Sequence, residues 1–283
     1  MARGSVTGKI YPLASNDELL FEAYHHVREQ LYRQIIKETL ADLEKGAWIL
    51  DAGCGDTFYS HLLAEVLGPD TRIVAVDRDL ALLHSQPARD GPAAMYHCLT
   101  DLERAGLRPG AFDAIWLCRT MHSALDPLRR LAALVPLLRS GGKLVVVEND
   151  FDHHPILPCP ADFGHRILDA HRQYLKSRCT DGTSLERYHA AGHLPLWLEQ
   201  VGLRSVSSHT YISEDDAPMA DDVEAYWRLF MGWLSRRIWP FLTADEQQTY
   251  ARAFNPTSPD FLLRRPGFYC LELTTVVCGF APP

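Results

Sequence analysis

Two acids and two glycines near the start of the chain are spaced to hold a nucleoside. Ile49-Leu50-Asp51-Ala52-Gly53-Cys54-Gly55-Asp56 reads as a buried strand running into a tight loop. Gly53 and Gly55 let the backbone turn sharply and approach a ligand with no Cβ in the way. The helix expected after them offers free N–H groups and the positive end of its dipole. A second strand, Arg72-Ile73-Val74-Ala75-Val76-Asp77, ends in an acid 26 residues after Asp51, placed to accept hydrogen bonds from a ribose. A dinucleotide loop would need a third glycine at position 58, where Phe58 stands. Asp51 and Asp56 would also repel a pyrophosphate. These residues therefore suit a ribose-bearing ligand with positive charge and argue against an NAD-dependent oxidoreductase.

The ordered motifs resemble the class I, Rossmann-like S-adenosylmethionine-dependent methyltransferases. The matching residues are Leu50 through Asp56, Ala75-Val76-Asp77, Thr100-Asp101-Leu102, Phe112-Asp113-Ala114-Ile115, and Leu138 through Val147 with its Gly141-Gly142-Lys143. They cover the region from 48 to 150. The resemblance implies an α/β fold: a seven-stranded, mostly parallel sheet with helices on both faces and an antiparallel last strand, Phe268 to Val277. It also implies that Asp101 and the Leu102 backbone meet the adenine edge and that Arg78 flanks the ring. The expected cofactor-contacting set is Asp51, Gly53, Cys54, Gly55, Asp77, Arg78, Asp101, Leu102 and Cys118. The cofactor is expected to be S-adenosyl-L-methionine, with S-adenosyl-L-homocysteine as product and no metal.

Methyl transfer needs a nucleophile held about 3–3.5 Å from the methyl carbon and, for many acceptors, a base for the leaving proton. Strand four is followed by Cys118-Arg119-Thr120-Met121-His122, strand five by Glu148-Asn149-Asp150-Phe151-Asp152-His153-His154. His122 is the first-choice base, since imidazole titrates near neutrality; Tyr24 and Asp152 come next. His25, His153, Trp227 and Phe230 are expected to contact the acceptor. His25 and His26 are adjacent on a helix, so at most one faces the site. Any such aromatic or histidine could equally be ordinary packing.

Glu148-Asn149 is similar to the acid–Asn pair of metal-dependent catechol-type O-methyltransferases. Those also use an acid after strand four, where this sequence has Arg119, so no metal is expected. The aromatic-rich stretch around Tyr226 to Phe241 points to a flat, natural-product-type acceptor methylated on carbon, nitrogen or oxygen; an indole-like carbon is one option. The alternatives are an aminopropyl transferase of the same fold, opposed by the lack of an acidic cluster after strand four, and a non-catalytic binding protein, opposed by the intact Asp51, Gly53, Gly55 and Asp77.

The elements that must hold these residues follow from hydrophobic patterning. Trp48–Asp51, Arg72–Asp77, Ala94–Leu99, Phe112–Cys118 and Lys143–Glu148 are apolar runs of the doubly covered parallel type, separated by helices at Phe58–Leu67, from Leu80 and at Pro127–Leu138. Ser15 to Lys45 has helical spacing with a capping box from Ser15 and Glu18 and a stop at Gly46. Ala161–Lys176 and Leu194–Val201 are further helices, and Val206–Tyr211 a strand. One methyltransferase domain is expected over 1–283: an N-terminal helical cap (1–46), a cofactor-binding core (47–150), the rest of the core (151–212 and 266–283), and a helical cap insertion (213–265).

Composition agrees. The 283 residues are 47% apolar and 23% charged, with a net charge of −8. That sign disfavours nucleic acid or an anionic membrane as partner, leaving a small-molecule acceptor and a monomer or homodimer. Seven irregularly spaced Cys without a C-x-x-C pair suggest reduced thiols. With no apolar leader or spanning segment in the sequence, a cytoplasmic location is expected.

Overall fold

The apolar runs pair side by side as parallel strands. A computed structural model of the chain describes residues 17–79, 93–104, 106–150, 156–157, 161–179 and 185–283. Its sheet has strand order β3-β2-β1-β4-β5-β8-β6, with β7 also pairing β8. The strands are β1 (Trp48–Ala52), β2 (Arg72–Asp77), β3 (Ala94–Leu99), β4 (Phe112–Cys118), β5 (Leu138–Asn149), the two-residue β6 (Ile156–Leu157), β7 (Arg204–Asp216) and β8 (Tyr269–Phe280). β1 to β5 pair in parallel, and β8 returns antiparallel along β5. This is the Rossmann-like arrangement, with seven longer strands and the extra short β6.

The helices are α1 (Asp17–Leu40), α2 (Phe58–Leu67), α3 (Pro127–Leu134), α4 (Ala161–Ser177), α5 (Ala190–Gln200), α6 (Asp221–Ile238) and α7 (Ala244–Phe254). Ser15, the expected cap of α1, and the helix expected from Leu80 lie outside the described residues. Among the described residues no helix is long and apolar enough to cross a membrane.

The chain groups into two compact units. The sheet unit comprises Glu29–His154, Cys179–Ser213 and Glu272–Pro283; the helical unit comprises Met1–Arg28, Pro155–Arg178 and Glu214–Leu271. The boundaries differ from the sequence expectation in three ways. The second half of α1 belongs to the sheet unit, while α4 and residues 266–271 belong to the helical one.

In the sheet unit, Leu50, Ala52, Val76, Ile115, Leu117, Leu144 and Val146 share one cluster with Leu131 and Leu134 of α3 and Leu194, Trp197 and Leu198 of α5. These are alternate residues of their strands, so they line one face of the sheet. The residues between them, including Ile49, Ala75, Ala114, Trp116, Val145 and Val147, are also buried, as are Tyr32, Ile35, Ile36 and Leu40 of α1. Each such aliphatic side chain contributes about 1.5–3 kcal/mol.

Two polar contacts fix the base of this unit. Lys143 Nζ donates to the Thr39 carbonyl (2.7 Å) and to both Asp42 oxygens (2.8 Å). It thereby satisfies a carbonyl that the last turn of α1 leaves open. Gly142 has room for no side chain, since a Cβ there would meet the Arg139 carbonyl oxygen at 2.9 Å. The helix expected to run to Leu138 stops at Leu134, two residues before Pro136. Pro136 follows in a single 3-10 turn, and β5 begins at Leu138, paired with Phe112.

In the helical unit, α6 packs an aromatic stripe inward. Tyr226 and Trp227 are fully buried, and Tyr24 lies 5.8 Å from Tyr226. Asp215 joins this core by accepting from Trp227 Nε1 (2.8 Å) and from Arg28. Elsewhere in the unit, Arg166 pairs with Glu246, and a capping box of Thr243 and Glu246 starts α7.

Candidate active site

The cofactor loop is built by backbone geometry before any side chain acts. Gly53, Gly55 and Thr57 have φ of 79°, 53° and 68°, so the chain bends three times in five residues between β1 and α2. The Gly53 and Cys54 N–H groups both donate to the Val76 carbonyl at the end of β2, at 2.7 and 3.0 Å. Gly53 must lack a side chain, because a Cβ there would lie 2.4 Å from Thr120 Cγ2. Around Gly55 a Cβ would meet nothing within 4 Å. One side of the loop is therefore packed and the other has room for a ligand.

The acids of the loop divide their work. Asp77 Oδ2 accepts from the Gly55 N–H and Oδ1 from the Asp79 N–H, each at 2.9 Å. A carboxylate has further lone pairs for two ribose hydroxyls. Asp56 Oδ1 accepts from the Phe58 N–H (3.2 Å) at the start of α2, a structural duty. Asp51 is almost fully buried and accepts from Ser60 Oγ (2.5 Å). Burial pushes its carboxyl up to about 7; the Ser60 bond opposes this, and Asp77 and Asp56 add to it. A cation beside Asp51 would relieve that cost, which fits the charged ligand expected from the sequence.

The other cofactor candidates sort by burial. Cys54 and Cys118 are buried, and burial raises both thiols well above their usual range. Both lie in the packed wall of the loop, where burial disfavours the thiolate. Asp101 accepts from the Glu103 N–H (2.9 Å), opening the short turn Leu102–Arg104. Leu102 faces the core, so only its backbone is available to a ligand. Arg78 is exposed.

Beyond β4 the chain makes a second tight feature. Arg119 has φ 53° and donates its N–H to the Val147 carbonyl (2.8 Å). A 3-10 turn, Met121–Ser123, follows. The buried Arg130 of α3 braces it, donating to the Thr120 carbonyl (3.0 Å) and Ser123 Oγ (3.1 Å). His122 sits on this turn with 35% of its side chain exposed. Glu148, at the end of β5 and almost fully buried, accepts from the Met121 N–H at 2.5 Å. Its other oxygen lies 3.4 Å from His122 Nδ1. Sequence reasoning placed Glu148 among the candidate base and positioning residues after strand five, and weighed it as a metal-type acid, but did not pair it with His122.

Asp152 and His153 lie outside the described residues. Tyr24, His25, Trp227 and Phe230 belong to the helical unit. Trp227 corrects the sequence expectation: it is fully buried and its indole N–H is committed to Asp215, so it has no surface to offer a substrate. The Tyr24 ring is likewise buried beside Tyr226, as core and not as an accessible base. His25 is buried, while its neighbour His26 is exposed and faces Asp222 at 3.1 Å. Phe230 is half-buried and stacked on Trp233, ring centres 5.6 Å apart. Among the described residues no group of three or more His, Cys, Asp or Glu side chains is gathered to hold a metal ion.

Residues 50–146, from the β1 loop to β5, match the methyltransferase-domain family. Over that third of the chain it is similar to methyltransferase domains, and its sheet has the Rossmann-like strand order. Among curated proteins it is similar to a ubiquinone biosynthesis O-methyltransferase of Xanthomonas euvesicatoria, 27% identical over 163 residues, 56% of this chain and 63% of that one. The chain spans about half the length of the curated relatives it matches. Among solved structures it shares its fold with a protein assigned to the type II methyltransferases from Anaeromyxobacter dehalogenans. That likeness has a TM-score of 0.58 at 18% identity, covering 90% of this chain and 96% of that one. A second fold likeness is to a Haemonchus contortus phosphoethanolamine N-methyltransferase in complex with S-adenosyl-L-methionine, with a TM-score of 0.52 at 13% identity, covering 95% and 58%.

Proposed function

We propose that the protein methylates a hydroxyl of a small aromatic acceptor, using S-adenosylmethionine and taking the proton on His122. The observation that carries this reading is the contact between Gly53 and Thr120. It sets the turn bearing His122 directly against the cofactor loop. A base two residues from that contact is where proton removal and methyl transfer would coincide.

When bound, S-adenosylmethionine supplies a methyl group on a sulfonium and leaves as S-adenosylhomocysteine. The chain's residues do the rest. Asp77 holds the ribose hydroxyls. Ionised Asp51 offsets the ligand's positive charge. The backbone at Leu102 and the side chains of Asp101 and Arg78 frame the adenine. The His122 imidazole accepts the acceptor's proton. Oxygen is favoured over carbon or nitrogen because the Xanthomonas relative is named an O-methyltransferase. Arg119 follows β4 where a divalent cation would need an acid, so the proposed transfer uses no metal.

The test combines binding and turnover. The protein is titrated calorimetrically with S-adenosylhomocysteine and with NAD, then incubated with methyl-labelled S-adenosylmethionine and a panel of phenols, indoles and amines. Binding of S-adenosylhomocysteine and label on a phenolic oxygen are expected. His122→Ala should lower kcat by about 10²-fold or more with S-adenosylhomocysteine affinity retained. Tight NAD binding, or undiminished turnover in His122→Ala, would overturn it.

A further inference from the structure

The Glu148 carboxylate reaches two parts of one turn. Because β4 and β5 are parallel with Cys118 beside Val147, Glu148 lies one residue past that pair, at the mouth of the turn after β4. One oxygen takes the Met121 backbone N–H and the other faces the His122 ring. The carboxylate is 1% exposed, so it must be compensated by donors. An ionised carboxylate only accepts hydrogen bonds. A ring nitrogen that hydrogen-bonds to an ionised carboxylate is the one that carries the hydrogen.

We infer that Glu148 is a positioning residue that locks His122 in its Nδ1–H tautomer and leaves Nε2 as the bare, proton-accepting nitrogen. The inference rests on the reading of His122 as the base. A neutral imidazole has one N–H and one lone-pair nitrogen. With Nδ1–H turned to Glu148, the lone pair points away from the buried carboxylate. The half-exposed ring can then take a proton from an incoming hydroxyl. The accounting closes: the proton moves from the acceptor oxygen to Nε2, and that oxygen's electron pair makes the new O–C bond. The old C–S pair stays on sulfur. The imidazolium so formed is balanced by the Glu148 carboxylate, an orienting role of the same kind as the acid of a catalytic triad.

Glutamine at 148 separates this role from mere packing. It keeps one oxygen and puts an NH₂ donor where the other stood, so with the oxygen on the Met121 N–H the group facing His122 Nδ1 is a donor. The experiment is long-range ¹H–¹⁵N correlation on the full chain with labelled histidine imidazoles, His122→Ala assigning the signal. In the wild type, neutral His122 should show Nδ1–H and an unprotonated Nε2. In Glu148→Gln, the population should move toward Nε2–H. kcat for labelled methyl transfer to a phenol from the panel should fall tenfold or more, with little change in KM. Glu148→Asp, which keeps a carboxylate, should hold more of the Nδ1–H form than Gln does.

A wild-type His122 found as the Nε2–H tautomer overturns the inference without reference to any variant. So does a tautomer unmoved in folded Glu148→Gln. A locked tautomer together with normal turnover in His122→Ala supports the lock and overturns the base role instead.

Discussion

Gly53 and Thr120 are packed so closely that the loop after β1 and the turn after β4 cannot be altered independently. A methyl group on Gly53 would stand 2.4 Å from Thr120 Cγ2 and 2.9 Å from Thr120 Oγ1, at a φ of +79°. Gly53→Ala should therefore destabilise the protein by about 3 kcal/mol, from overpacking and left-handed strain together. Thr120→Ala removes both clashing atoms. The double variant should recover part of the loss, with a coupling of at least about 1 kcal/mol in urea unfolding. Strict additivity would show that the contact is not as tight as described.

Asp77, the proposed ribose ligand, is tied to the loop after β1 through the Gly55 N–H. Asp77→Asn keeps an acceptor of the same shape but loses the charge. A hydrogen bond to a charged group contributes about 1.5–3 kcal/mol. S-adenosylhomocysteine affinity should fall by roughly tenfold or more while thermal stability changes little. Unchanged affinity in calorimetry would remove Asp77 from the ribose site.

Cofactor binding should depend on pH through Asp51. Burial holds that carboxyl at about 7 in the folded protein, above its unfolded value of 3.8. Between those values the native state binds more protons than the unfolded state. The unliganded protein should thus lose stability as pH rises from about 4 through 7, by up to a few kcal/mol. Affinity for S-adenosylmethionine should run the other way. A cationic ligand selects the ionised carboxylate, so affinity rises through pH 7 and levels off above about 8. Asp51→Asn should flatten both profiles. A wild-type affinity constant from pH 5.5 to 8.5 would rule out the coupling.

In the helical unit, Asp215 answers both Arg28 and the indole N–H of Trp227. Removing one member of a buried ion pair leaves a charge uncompensated and costs about 3–5 kcal/mol. Asp215→Ala should be destabilising on that scale, and Trp227→Phe, which gives up one hydrogen bond, by about 1 kcal/mol. S-adenosylhomocysteine affinity of the folded variants should be unchanged. A loss of affinity in folded Asp215→Ala would place this cluster in the binding machinery.

The central strands were legible because their apolar runs have clear ends. β2, β3 and β4 fall on the residues expected, since Asp77, Leu99 and Cys118 each precede a polar turn. The elements after residue 150 were less so. β6 has two residues and no pattern, and β7 runs to Asp216 because its pairing with β8, not its own alternation, sets its length. The cofactor loop was readable because glycines and acids are local signals. Glu148 as the partner of His122 was not. The two lie 26 residues apart and meet only because parallel register sets the ends of β4 and β5 side by side. Trp227 and Phe230 look alike in sequence, three apart on one helix. Only the position of Asp215 shows that the first is interior.

The helical unit is gathered from three separate stretches of chain, residues 1–28, 155–178 and 214–271. The stretch shared with the methyltransferase-domain family, 50–146, includes none of them. A recombination event that swaps one contiguous block could therefore replace the cofactor machinery whole but could not import a finished helical unit. Any rebuilding of that unit must accumulate by dispersed point substitutions, each tolerable beside the other two. Laboratory redesign of the unit faces the same restriction, and libraries spread over all three segments have more to draw on than domain grafts.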